Sequence, residues 1–381
     1  MKRFKYYLII LILIFSSCAC SPSNNASYSN DYEYLWNELE SSYPYFVYLK
    51  DDKGIDLDGI RERYAEKVEA TGSEEEFAVV IEDMFSELGN FAHLWLVTPE
   101  LYRGMYNHMI YDENIAYDGN PFAEMLQDPG LSEKYVKPET PEEQTDEAEN
   151  LFPEVWTQYF SDSDVLYIRI TSFDHSLIER DNIAINDALA KYPDAKNLII
   201  DIRNNAGGSD KYWMQNLVDP FGGKYKFKFR NYIRKSDLTD RFYWDQEPSE
   251  LPDDAPEWVE RLGLDHCYEI DMTLPEEEKP VKDINRWVLT NEGIYSAADK
   301  FVNFCRQTGW ATVVGTRTGG DGLGPTPVLV MLPDSGLLVR FSATAGENSD
   351  GSMNAAGTAP DVICIKGEDP LDRCLELIRE D

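Results

Sequence analysis

The sequence predicts an α/β fold with a mainly parallel sheet, preceded by a small helical domain. Three observations carry that expectation. Residues 165–171 have strand character, 178–192 have helical spacing, and 197–202 form a largely apolar second strand. Strand, helix, strand in that order implies parallel strands covered on both faces. Residues 285–304 (NRWVLTNEGIYSAADKFVNF) repeat the scheme, an apolar run entering a turn and then a helix. Residues 31–88 show helical periodicity alone. With 381 residues, of which 43% are hydrophobic, the chain has material for one large domain and a smaller one.

At the start of the chain, Lys2, Arg3 and Lys5 precede an apolar run over residues 6–15, followed by Ser16-Ser17-Cys18-Ala19-Cys20. That order is the pattern of a secretory signal. Small residues directly before a cysteine resemble a bacterial lipobox, which implies removal of residues 1–17 and lipidation of Cys18, with Cys20 as the alternative. The competing expectation is a plain membrane anchor, for which the run is short against a span of roughly 20 residues. Residues 18–30, polar and rich in Ser and Asn, suit a flexible tether. The protein is therefore expected outside the cytoplasm, held to a membrane through lipid.

Lys and Arg number 35 against 70 Asp and Glu, a net charge of −35. That balance excludes nucleic acid as a partner. Cys267, Cys305, Cys364 and Cys374 show no C-x-x-C or Cys/His ligand spacing and the chain has four histidines, so neither a metal nor another cofactor is expected. One or two disulfides could form outside the cytoplasm, while Cys305, on an apolar helix face, suits a buried free thiol.

Within residues 31–90, stretches 32–39 and 60–68 are amphipathic. Ser73-Glu74-Glu75-Glu76 then opens a helix with apolar Phe77, Val80, Ile81, Met84, Phe85 and Leu88 on one face. Gly89-Asn90 stops it, and residues 91–97 read as an apolar strand carrying His93. A lone histidine in such a strand is most simply a core residue. An insertion near 101–160 has weak patterning, and 137–150 is an acidic loop in composition. A second insertion near 219–282 holds an aromatic and basic segment at 224–234 and an acidic, Pro-containing stretch at 247–256. Residues 328–332 and 337–341 form a predicted hairpin, and 370–379 a final helix.

Ser296 falls at the junction of turn and helix, where a hydroxyl can project at the positive end of the helix and the Ala297 N–H is free to meet a developing oxyanion. A serine there is equally an ordinary helix cap. After the strand at 197–202, Gly207-Gly208 lets the backbone turn sharply and point N–H groups into a cleft, or simply makes a turn.

Four segments taken together resemble one family. Asp201-Ile202-Arg203-Asn204-Asn205-Ala206-Gly207-Gly208 is similar to the D-x-R-x-N-x-G-G motif of the tail-specific (C-terminal processing) and tricorn-core serine peptidases. Ser296-Ala297-Ala298-Asp299 resembles their S-A-A-E nucleophile motif with Asp for Glu, residues 88–94 their L-x-D-G-H segment, and Gly357-Thr358-Ala359-Pro360-Asp361 their G-x-x-P-D. The resemblance implies a crotonase/ClpP-like core over 91–381. It also implies Ser296 as nucleophile, His93 as general base, Gly207 or Gly208 with Ala297 as oxyanion donors, and a peptide or unfolded protein as substrate. In the tricorn-like branch a carboxylate three residues before the G-x-x-P-D glycine orients the histidine. Here Asn354 stands there, with Glu347 and Asp350 as nearby alternatives. The other branch carries a lysine in a Gly-Lys-Gly loop. The matching loop here is Gly320-Asp321-Gly322, so the histidine route is expected, and no stretch reads as a PDZ domain. The altered orienting position motivates a second expectation, a non-catalytic member that binds a peptide or small ligand in the same cleft.

Overall fold

Residues 25–111, 120–136, 155–243 and 247–380 are described by a computed structural model. The first four helices are α1 (Asn25–Ser42), α2 (Phe46–Asp51), α3 (Leu57–Glu69) and α4 (Glu74–Glu87). The signal segment and residues 18–24 lie outside the described residues, and residues 25–30 of the expected tether belong to α1. Leu35, Trp36 and Leu39 of α1 and Phe77, Ile81 and Phe85 of α4 are buried together, the one-sided spacing read from the sequence. Ser73 caps α4 through its hydroxyl, which accepts from the Glu76 N–H at 3.2 Å.

After α4 the chain departs from expectation. Asn90, Ala92 and His93 all have positive φ, so the segment around His93 is a tight 3₁₀-type turn and not a strand. Only β1 (Trp95–Leu96) is extended. The apolar composition that suggested a strand instead buries Ala92 and Leu94 beneath the turn. The weakly patterned insertion then holds α5 (Pro99–Tyr111), α6 (Pro121–Leu126) and α7 (Pro129–Tyr135). Asn120 and Asp128 cap the latter two, each with proline at the first turn, where its missing N–H costs nothing. The acidic stretch 137–150 lies outside the described residues.

The central sheet begins with β2 (Val155–Phe160), antiparallel to β3 (Val165–Ile170). From β3, α8 (Ile178–Lys191) crosses back to the fully buried β4 (Asn197–Asp201), parallel to β3. The insertion that follows includes α9 (Asp210–Trp213), β5 (Gly223–Ile233), α10 (Asp237–Tyr243), β6 (Ser249–Glu250), α11 (Glu257–Arg261) and β7 (His266–Lys279). β5 and β7 pair as a long antiparallel ribbon. The aromatic and basic segment is thus an amphipathic strand, with Phe227 and Phe229 buried while Lys224, Lys226 and Lys228 face out.

β8 (Asn285–Thr290), α12 (Ala297–Thr308) and β9 (Thr312–Gly315) complete the sheet with β10 (Val328–Met331), β11 (Leu338–Phe341), β12 (Thr344–Glu347), β13 (Val362–Ile363) and α13 (Pro370–Glu380) following. The six-stranded order is β13-β9-β8-β4-β3-β2, parallel except at β2. This is the expected α/β core. α8 and α12 cover one face around Phe173, Phe301 and Phe304, while α13 covers the other through Cys374. The predicted hairpin is β10–β11, extended by β1. Its Val330, Val339 and Phe341 share one apolar cluster with α1–α4, so the helices bury their faces against the hairpin. Cys267, Cys305, Cys364 and Cys374 are all buried free thiols.

Candidate active site

Ser296 directly precedes α12 with φ 54° and ψ −130°, a backbone state that an L-residue adopts only when its surroundings impose it. The imposing contacts are visible. Tyr295 N–H donates to the Asn205 carbonyl at 3.1 Å and Ser296 N–H to the Gly320 carbonyl at 3.0 Å, so the turn is pinned from both sides. Ser296 occupies the cap position of α12 but its hydroxyl makes no capping bond. The ordinary cap role is thereby removed, and the hydroxyl is left at the positive end of a twelve-residue helix.

Gly207 packs against this turn so closely that a Cβ on it would lie 2.7 Å from the Tyr295 carbonyl and 2.9 Å from the Ser296 Cβ. Its N–H is committed to the Asn205 side chain at 2.9 Å, which leaves it no hydrogen to offer an oxyanion. Gly208 and Ala297 have no partner for their N–H among the described residues, and both line the same cleft as Ser296. Of the two glycines offered by the sequence, Gly208 is the one placed for donation.

His93 is buried in the cleft wall, 3% exposed, and its backbone N–H donates to the Tyr295 hydroxyl at 3.0 Å. Its Nδ1 lies 2.6 Å from Asp321 Oδ2. The same carboxylate oxygen accepts from the Ser342 hydroxyl at 2.8 Å and the Tyr295 hydroxyl at 3.2 Å. Burial pushes the His93 pKa below its ordinary 6.5, Arg340 adds to that, and Asp321 opposes it. The imidazole therefore rests neutral near pH 7. Tyr295 is held far above the ordinary tyrosine range, by burial first and Asp321 second, and stays a protonated donor.

The expected partner of His93 is corrected here. Asn354 does not touch it. Instead the Asn354 side-chain oxygen accepts from the N–H groups of Gly322 and Leu323 at 2.8 and 3.0 Å, and its amide donates to Asp299 at 2.7 Å. Asn354 thus holds the loop that presents Asp321. Asp299, fully buried, also accepts from Thr318 at 2.6 Å, and its pKa is raised by burial against those hydrogen bonds. Neither alternative replaces Asp321: Glu347 accepts from Tyr232 at 2.6 Å, and Asp350 accepts from the backbone N–H of Ser352 at 3.0 Å. The sequence did contain a signal for Asp321, a carboxylate between two glycines in the loop where the other branch carries its lysine.

Ser296, His93, Gly208, Ala297 and Asp321 all line one cleft of about 360 Å³. The model for peptidase family S41 matches residues 164–364, more than half of the chain. The chain belongs to peptidase family S41. It is a serine peptidase. The model for the tricorn protease C1 domain additionally matches residues 24–86, the helical region. Among solved structures, a candidate peptidase from Parabacteroides merdae is similar at 21% identity and TM-score 0.56, over 92% of this chain and 96% of that one. Mature CPAF complexed with lactacystin is similar at 14% identity and TM-score 0.56, over 94% and 99%. Another structure of mature CPAF gives 15% identity and TM-score 0.53, over 89% and 92%. At these identities the likeness concerns the fold. No curated protein matches the chain.

Proposed function

We propose that this S41 peptidase is a lipid-anchored, extracytoplasmic endopeptidase that cleaves peptides or unfolded chains through an acyl-enzyme on Ser296, with His93 as general base and Asp321 orienting it. The His93–Asp321 pair at 2.6 Å in the Ser296 cleft carries this reading. Ser296 Oγ attacks the scissile carbonyl carbon as its proton passes to His93 Nε2. The new oxyanion is met by the Gly208 and Ala297 N–H groups. Asp321 holds Nδ1–H and stabilises the imidazolium. Collapse of the tetrahedral carbon breaks the C–N bond, and His93 returns its proton to the leaving amine. Water then repeats the cycle on the ester, losing a proton to His93 and releasing the acid and free Ser296.

The lipid anchor and the location rest on the cysteine-terminated signal pattern of residues 1–20. The non-catalytic alternative was motivated by Asn354 at the orienting position, and that motive lapses once Asp321 supplies the carboxylate. An active-site fluorophosphonate tests the reading. Labelling of the full chain that disappears in Ser296→Ala supports it, and no labelling of folded protein overturns it.

A further inference from the structure

Arg340 lies on β11, opposite Trp95 of β1 and Leu329 of β10, on the strand that borders the cleft. Its guanidinium stands 5.7 Å from the Trp95 ring, and that ring is 5.1 Å from His93. The arginine therefore stands close to the catalytic wall. Its Nε is buried without a hydrogen-bond partner, and among the described residues it has no carboxylate within ion-pair distance. Another cation of the cleft shows the contrast: Lys300 is bound to Asp210 at 2.6 Å.

In a chain with twice as many acids as bases, a cleft cation with no carboxylate partner among the described residues needs a reason, because a buried N–H left without an acceptor is costly. Burial pushes the Arg340 pKa down to about 10, while Tyr295, Asp321 and Tyr243 oppose that fall. It remains a cation at neutral pH. A guanidinium is a planar fork of donors that matches a carboxylate with two parallel hydrogen bonds. Met105, Phe122, Pro325 and Pro327 give part of that cleft an apolar lining. They can hold the chain that bears the acid.

We propose that Arg340 determines specificity by binding the carboxylate of an Asp or Glu side chain in the peptide substrate. The proposal rests on the cleft being the peptide site, and it is independent of which residues perform the chemistry. The test is made on binding for that reason. Full-length Ser296→Ala protein is immobilised and offered a random-sequence decapeptide library as free acids and as C-terminal amides, and the retained peptides are sequenced by mass spectrometry.

Enrichment of Asp or Glu at one position by about tenfold or more, in free acids and amides alike, supports the proposal, and enrichment of free acids over amides with no Asp or Glu preference overturns it. The Asp or Glu enrichment should collapse toward unity in Ser296→Ala/Arg340→Gln and persist in part in Ser296→Ala/Arg340→Lys. No acid preference in the parent overturns the proposal, whatever the variants do. An acid preference that survives Arg340→Gln overturns it equally. Loss of fluorophosphonate labelling in otherwise carboxylate-selective protein would count against the catalytic reading alone.

Discussion

His93 Nδ1 is 2.6 Å from Asp321 Oδ2 across 228 residues of sequence, and no other carboxylate among the described residues reaches the imidazole. Asp321→Asn should therefore lower kcat by roughly 10²–10⁴-fold, the range expected when an imidazole loses its orienting acid. Glu347→Gln and Asp350→Asn should stay close to wild type. Measuring kcat/KM for the three variants on one peptide decides it. Wild-type turnover in Asp321→Asn removes the residue from the mechanism.

Asn354 should act through the loop and not through the imidazole. Asn354→Ala strips the acceptor from two buried N–H groups, those of Gly322 and Leu323, at a cost of about 1–3 kcal/mol each if they stay unpaired. The expected outcome is a lowered Tm together with lowered kcat, whereas Asp321→Asn lowers kcat with a smaller change in Tm. Calorimetric melting of both variants separates the roles.

The pH profile follows from the groups facing His93, namely Asp321, Arg340 and Tyr295. Since the native imidazole titrates below its ordinary 6.5, kcat/KM should rise with pH through an apparent pKa under that value. Asp321 holds the pKa up, so Asp321→Asn should move the limb to lower pH. Arg340 pushes it down, so Arg340→Gln should move it higher. The same depression means that the unfolded chain takes up the proton first. The His93 contribution to stability is thus present above about 6.5 and declines as pH falls below it. Limbs that stay in place in both variants would refute the assignment of His93 as base.

Gly207 tests the support of the nucleophile turn. With φ at 98° and a Cβ position 2.7 Å from the Tyr295 carbonyl, Gly207→Ala must displace Ser296 or strain the backbone, at about 1–3 kcal/mol. The fluorophosphonate reaction rate should fall more than tenfold, because misplacement by an ångström costs rates of that order. An unchanged rate would show that the turn tolerates the methyl group.

Anchoring is tested at the signal. Cys18→Ala together with Cys20→Ala should abolish metabolic palmitate labelling and release the protein from membranes, since stable attachment needs the acyl chains. Labelling that persists in the double variant overturns the lipid anchor.

The sequence by itself determined the elements whose signal is local and periodic. The apolar runs of β4 and β8 and the one-sided faces of α4 and α12 announced a parallel sheet with helices upon it, and Ser296 at a turn before a helix became a candidate nucleophile only through the four motifs taken together. Backbone hydrogen bonding and side-chain period act within a few residues, and those forces are written in order along the chain. The β5–β7 ribbon was less legible, because its partners are separated by an insertion and its alternating Lys and aromatic residues look like mere composition. Tertiary structure alone decided the rest. It committed the Gly207 N–H to Asn205, gave Asn354 to the loop and set Asp321 against His93, and among the described residues it left the Gly208 N–H and the Arg340 Nε without an acceptor. Each of these outcomes depends on which buried donor finds which acceptor across folded elements, and burial couples residues that no spacing in the chain relates.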